Sequence, residues 1–403
     1  MAYFDNSNST KVDERVIEAM LPYFRVYYGT AGLELSHSQD VAALTGLENA
    51  RKILAKSIGA DPREIVFTSG ATESNNIAIR GVARANRGEG KHIITTKIET
   101  QSVLRSCERL KEAGYEITLL DVDEDGLISL TELEKSIRKD TTLVSIQHVN
   151  GEIGTNQQLK EIADITSNKG IALHSDATHS YMHIPIDVNE IPINILSFDA
   201  HHIHGPKGIG ALYVRRKTIV HRLHEGGDEE RRLRPGIENI PGAVGFSKAV
   251  EIWGPNENEY LLSLRKYMEK RIAETLTNYS LTGHPTERAP HIFSMIVGLI
   301  EGESMLVQLD MEGFCVSTGS ACSSKTLQGS HVLKALGLPP ERAHGSIRAS
   351  FSRFNREEEI DAFVEVFVPA VERLREFSPL KDGMYFANTE EDNHQHDLPD
   401  EDW

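Results

Sequence analysis

Apolar residues recur at helical spacing from Val12 to Phe24 (Val16, Ile17, Ala19, Met20, Tyr23), and a second helix is predicted over Val41–Ile58. A repeating unit then sets in. Strand-like runs at Ile65–Thr68, His92–Thr96, Ile117–Val122, Leu143–Val149, Ile171–Ser175 and Ile193–Phe198 alternate with helical patterns at Glu73–Ala85, Val103–Ala113, Leu130–Arg138 and Leu159–Asn168. Alternation of this kind predicts a largely parallel sheet with helices on both faces, and ligands gather at the carboxyl ends of such strands. The last of these strands runs into a polar turn within Ser197–Gly210 and a returning strand carried by Ile209, Ala211, Leu212, Tyr213 and Val214. The Gly/Pro/Asn-rich stretch Trp253–Asn256 reads as a boundary. Beyond it, a charged helix (Glu259–Asn278), apolar segments at Ile292–Val297 and Met305–Leu309, and helices at His331–Leu336 and Glu357–Glu376 predict a smaller α+β unit.

The organisation expected is an N-terminal arm over 1–12 joining the small domain, a large α/β domain over 13–253, a small α+β domain over 254–380, and an acidic, disordered tail over 381–403. The 403 residues are 39% hydrophobic and 26% charged, the balance of a globular chain. No run approaches a transmembrane length and the first residues lack a signal-peptide pattern, so the cytoplasm is the expected location. A net charge of −17 argues against nucleic acid or an anionic membrane as partner. Three cysteines exclude a disulfide framework. Cys107 and Cys315 lie among apolar residues, whereas Cys322 lies in a run of small polar residues, Ser317–Lys325, that suits a mobile loop with a reactive thiol.

Four stretches bear chemistry. Phe67–Asn76 leaves a strand at Gly70 and enters a helix directly, giving free N–H groups that suit a phosphate or merely a capped helix. His174–His179 ends a strand on Asp176, which serves either as a cap or as the partner of a pyridinium nitrogen. The polar turn carries His201, His202 and His204, a proton-exchanging tip or a solvated loop. Arg348, inside a short polar/apolar alternation, is either a structural ion-pair partner or a clamp for a substrate carboxylate.

Together with Val149–Thr155, Gly205–Gly210, Ser317–Ser324 and Ser346–Arg348, these stretches resemble the cysteine desulfurases of the NifS/IscS type, within the class-V aminotransferase-like, fold-type I pyridoxal-phosphate enzymes. The resemblance covers about Tyr3 to Leu380. It implies a large domain with a mostly parallel sheet flanked by helices plus a small C-terminal α+β domain. It further implies a homodimer, pyridoxal phosphate as cofactor, a loop cysteine that takes sulfur as a persulfide, and an iron–sulfur scaffold or sulfur-acceptor protein as partner. By the same resemblance Ala71 and Thr72 match the phosphate-cradling turn, Asp176 the carboxylate facing the ring nitrogen, His201 a family histidine, Cys322 the persulfide cysteine and Arg348 the substrate clamp.

The chain departs from the family pattern at the turn itself. His202 stands where the Schiff-base lysine is expected and Asp199 where the pattern has its second serine. Thr100 replaces the ring-stacking histidine, Gly151 an asparagine, His179 a glutamine and Ile237 a threonine that reaches the neighbouring subunit's phosphate. Imidazole forms no internal aldimine, which needs a primary amine. The expectation is a sulfur-mobilising relative without covalent pyridoxal phosphate, offering Cys322 as sulfur carrier or iron–sulfur ligand. An active desulfurase converting cysteine to alanine and an enzyme persulfide is the alternative. A third reading makes His179, His201, His202 and His204, with Cys322, a zinc or iron site.

Overall fold

A computed structural model of the chain describes residues 1–31, 37–319 and 329–378. Its strands, in chain order, are β1 (Ala2–Tyr3), β2 (Ile65–Thr68), β3 (His92–Thr96), β4 (Glu116–Leu120), β5 (Thr141–Ser145), β6 (Ala172–Asp176), β7 (Ile195–Asp199) and β8 (Gly210–Val214). They continue with β9 (Tyr279–Leu281), β10 (Ile292–Val297), β11 (Phe314–Cys315) and β12 (Ser346–Ser350). The seven-stranded sheet has the order β2-β8-β7-β6-β5-β3-β4. β3 to β7 form parallel pairs, while β8 runs antiparallel to both its neighbours, as a strand returning from a turn must.

The inner strands are buried along almost their whole length because both faces of the sheet are covered. Successive residues point to opposite sides. Ile93, Leu143, Ile195 and Leu212 enter one core with Ile77, Val82, Val103 and Cys107 of the helices Ala71–Ala85 and Gln101–Glu112. Ile94, Val144, Leu196 and Tyr213 enter the other, where Tyr181 stacks on Phe198 at 4.4 Å.

A separate core joins Phe4 to Leu264 and Met268 of the helix Glu257–Thr275, Phe293 and Met295 of β10, Ile347 of β12, and Phe363 and Phe367 of the helix Glu357–Phe377. There β9, β10 and β12 form an antiparallel sheet, and β1 pairs in parallel with β11. Trp253 packs against both this core and the first. Strand ends shift by a few residues from the sequence expectation. The apolar run past Ser145 leaves the regular ladder, yet Ile146 and His148 still donate backbone N–H to the carbonyls of His174 and Asp176. Among the described residues no helix is long and apolar enough to cross a membrane. Cys322 and the tail beyond 378 lie outside the described residues.

Candidate functional site

The chemistry-bearing residues meet at the carboxyl ends of β6 and β7, which close on Asp176 and Asp199, both buried. Asp176 is saturated. Its Oδ2 accepts from Asn75 Nδ2 at 2.7 Å and from Thr100 Oγ1 at 3.2 Å, and its Oδ1 accepts the backbone N–H and hydroxyl of Thr178. Thr100 is the residue before the helix Gln101–Glu112, so the chain direction aims its hydroxyl at this carboxylate.

Asp199 faces the histidine turn. Its Oδ1 lies 2.7 Å from His202 Nδ1 and its Oδ2 lies 3.1 Å from His201 Nε2. On its far side His202 Nε2 meets the Ser7 carbonyl at 3.1 Å; a carbonyl only accepts, so this nitrogen carries the proton and donates. Burial disfavours a charged His202 ring, but the Asp199 carboxylate outweighs it and lifts the ring's pKa above the ordinary value. Burial alone would raise Asp199; the His202 and His201 rings instead hold its carboxyl below the usual carboxylate range.

The turn is braced by the N-terminal segment. Thr10 donates from backbone and hydroxyl to the His201 carbonyl, and His204, at φ 66°, donates its N–H to Thr10 Oγ1. His204 turns away from Asp199: its Nδ1 meets the Lys11 carbonyl at 2.9 Å and its ring packs on Phe354. The structure therefore brings Asp199, His201 and His202 together and leaves His204 outside that group.

His179 packs edge-on against His202 with ring centroids 4.7 Å apart. A side chain begun at Gly151 would place its Cβ 2.2 Å from His179 Nε2, so the glycine makes room for the imidazole. Burial and the neighbouring His202 hold the His179 ring neutral. The Gly151 carbonyl accepts from Ser7 Oγ and from Arg348 Nη1. Arg348, in mid-strand on β12, spends its Nη2 on Asp5 at 3.0 Å.

Ala71 and Thr72 begin the helix Ala71–Ala85 after Gly70, whose φ is 148°, and the first N–H groups of a helix have no acceptor within it. Thr72 borders two open clefts, one with Ser69, Glu73 and His224, the other with Gln101, Ser102 and Arg105; His202, Asp199 and Asp176 line neither. Ile237 is 71% exposed. Cys107 is buried and its thiol is pushed up to about 12 by burial.

Sequence patterns did not single out Asp5, Ser7 or Asn75. Asn75 lies inside a recognised motif, and its partner Asp176 is a hundred residues away in the chain. Ser7 acts through a backbone carbonyl, which no residue type announces.

The aminotransferase class-V family profile matches residues 2–363. The chain is 42% identical over 382 residues to the cysteine desulfurase IscS of Dictyoglomus turgidum, covering 94% of this chain and 96% of that one. The chain belongs to the cysteine desulfurase family of class-V aminotransferases. The cysteine desulfurase IscS 1 of Archaeoglobus fulgidus is 44% identical, with 94% and 99% covered, and the human cysteine desulfurase 43% identical, with 94% and 83% covered. Among solved structures, a NifS-like protein superposes with a TM-score of 0.85 at 34% identity over 93% of this chain and 99% of its own. This cysteine desulfurase homologue thus has the fold-type I architecture, and its family implies pyridoxal phosphate and a place in sulfur mobilisation.

Proposed function

We propose that this cysteine desulfurase homologue serves sulfur mobilisation and iron–sulfur cluster assembly without a covalently held pyridoxal phosphate, and offers Cys322 as sulfur carrier or cluster ligand to a scaffold or sulfur-acceptor protein. The observation that carries the reading is His202, tied at both nitrogens to Asp199 and to the Ser7 carbonyl where the family's amine belongs. An imidazole has no primary amine with which to form an aldimine.

The surroundings agree. Asp176 already accepts four protein donors and has no oxygen left free for a ring nitrogen. The Thr100 hydroxyl is turned to Asp176, and His179 fills the space beside Gly151. Asp199 adds a buried carboxylate to the turn where the family pattern has a serine. Neither flanking lysine replaces the amine, since Lys207 is exposed and Lys11 lies over the Phe354 ring. These residues do not fit a covalently bound pyridoxal phosphate.

Loading Cys322 needs no oxidant when the donor is itself a persulfide. The Cys322 thiolate attacks the outer sulfur, the S–S bond breaks, and the donor leaves as a thiolate. The reading includes a homodimer in the cytoplasm, and the net charge of −17 opposes nucleic acid or an anionic membrane as partner.

The test is the absorption spectrum of the full chain incubated with pyridoxal phosphate, followed by borohydride reduction and peptide mass spectrometry. No lysine adduct is expected; an adduct on any lysine, accompanied by alanine release from cysteine, restores the active desulfurase reading. Cys322→Ala is expected to abolish sulfur or cluster transfer to a scaffold protein, and an unchanged transfer rate removes Cys322 from the account.

A further inference from the structure

We infer that Asp199, His201 and His202 form a site for a divalent first-row metal ion of the zinc or iron(II) type, built where the family's Schiff base would stand. The inference rests on the preceding reading only in that His202 is not part of an aldimine.

Three donor atoms converge, a carboxylate oxygen of Asp199, Nε2 of His201 and Nδ1 of His202, all within 4.8 Å of one another. The second observation is the hydrogen-bond polarity of His202. Its Nε2–H is committed to the Ser7 carbonyl, so a neutral ring presents a lone pair at Nδ1, 2.7 Å from the Asp199 carboxylate. Two acceptors at that distance require a cation between them, either a proton or a metal ion. A backbone carbonyl that fixes the far nitrogen of a ligand histidine is the usual outer-shell arrangement of a metal site, because it orients the lone pair.

Charge favours the dication. Asp176 and Asp199 are buried carboxylates at adjacent strand ends, and the donors on Asp176 are an amide, hydroxyls and a peptide N–H, all neutral. A proton on His202 offsets one negative charge of this pair; a divalent ion offsets both.

Access is present as well. Asp199 and His202 are buried, but the His201 side chain is 25% exposed, so the set opens on that side. Metal bonds of about 2.0–2.2 Å in tetrahedral geometry set ligand atoms roughly 3.4 Å apart, so the Asp199–His202 and Asp199–His201 pairs, now at 2.7 and 3.1 Å, widen while the widest spacing of the set, up to 4.8 Å, closes, which rotation of the partly exposed His201 side chain supplies. Two imidazoles and one carboxylate are the ligand set of open zinc centres and of iron(II) sites alike, and leave one or more positions for water or a thiolate.

The test uses the untagged full chain, stripped with chelator, then supplied separately with zinc(II) and iron(II) and desalted. Elemental analysis is expected to find about one equivalent per chain of at least one of the two metals, and cobalt(II) substitution an absorption spectrum of low-symmetry four- or five-coordination. His201→Ala, at the partly exposed ligand, and Asp199→Asn are each expected to lose the retained metal, whereas His224→Ala at an exposed surface position keeps it. Retention by both ligand variants places the metal elsewhere and overturns the inference. So does a wild type that, after being supplied with zinc(II) and iron(II), retains neither and still gives the nitrogen NMR signature of a His202 imidazolium, which assigns the bridging cation as a proton. A borohydride-fixed lysine adduct in metal-loaded protein sinks the proposed function but leaves the metal site standing; absence of both adduct and metal does the reverse.

Discussion

At the scale of single residues, the site at the ends of β6 and β7 is shaped by matched side chains. Gly151 and His179 form such a pair: the missing Cβ at 151 is what admits the ring. Gly151→Asn forces its side chain into His179 and is expected to cost about 2 kcal/mol from overpacking, while His179→Gln on the same background recovers most of it. Denaturant midpoints of the four proteins of this cycle check the coupling, and additive effects refute the pairing. His202→Lys alone is not expected to restore full desulfurase activity, because Thr100, Gly151 and Asp199 remain; robust alanine release by that single variant contradicts this. The substitutions themselves were legible in the sequence, and their compensation was not, since Ser7 and Asp5 enter through a backbone carbonyl and a distant ion pair.

At the same scale, buried histidines set the response to acid. Burial holds His174 at about 3 and His148 at about 4. From 6.5 downward the unfolded chain takes protons that these folded rings refuse, so their contribution is full above 6.5 and is lost as pH falls toward the folded values. At pH 5 each ring removes about 2 kcal/mol. Glu99 acts in the opposite sense: burial raises it from 4.5 to about 8, so its stabilisation is lost as pH rises through that window. Glu152, raised by burial to about 7, acts as Glu99 does, but His183 at about 3 and His204 at about 4 join His174 and His148, so with four rings against two carboxyls the thermal midpoint is expected to drop between pH 6.5 and 5. A flat profile in calorimetry refutes the neutral buried rings.

At the scale of elements, the periodic segments were readable because the inner strands of the large sheet are buried on both faces, whereas the edge strand β4 keeps exposed positions. The N-terminal arm was not readable from period, since β1 is two residues long and draws its stability from elsewhere. Phe4 is fully buried and lies edge-on to Phe351 and Phe363, with centroids 5.6 and 5.8 Å away. This anchor fixes Asp5 on Arg348 and Ser7 on His202. Phe4→Ala is therefore expected to cost about 3 kcal/mol and to loosen the histidine turn as well. Hydrogen exchange at residues 201–205 checks the second effect; unchanged protection there separates the arm from the site.

For the whole molecule, the helix Glu14–Arg25 buries Val16 but leaves Ile17 and Leu21 40% exposed and Phe24 61% exposed, with Tyr28 just beyond it 70% exposed. The spacing places Ile17, Leu21 and Phe24 on one face of the helix, an apolar stripe that suits a second copy of the chain. Ile237, equally solvent-facing, stands where the family reaches toward its neighbour's site. The homodimer proposed above therefore gains a surface and a test. Leu21→Asp with Phe24→Asp removes two apolar side chains that such an interface would cover, about 4 kcal/mol per chain, so the dimer dissociation constant is expected to rise by at least roughly a thousandfold. Because both positions are exposed in the single chain, the fold is expected to survive, with an unchanged circular dichroism spectrum. Light scattering is expected to read twice the 44.9 kDa chain mass for the natural protein and the single-chain mass for the double variant. A natural protein that is already monomeric refutes the homodimer, and a variant that remains dimeric moves the interface to another face.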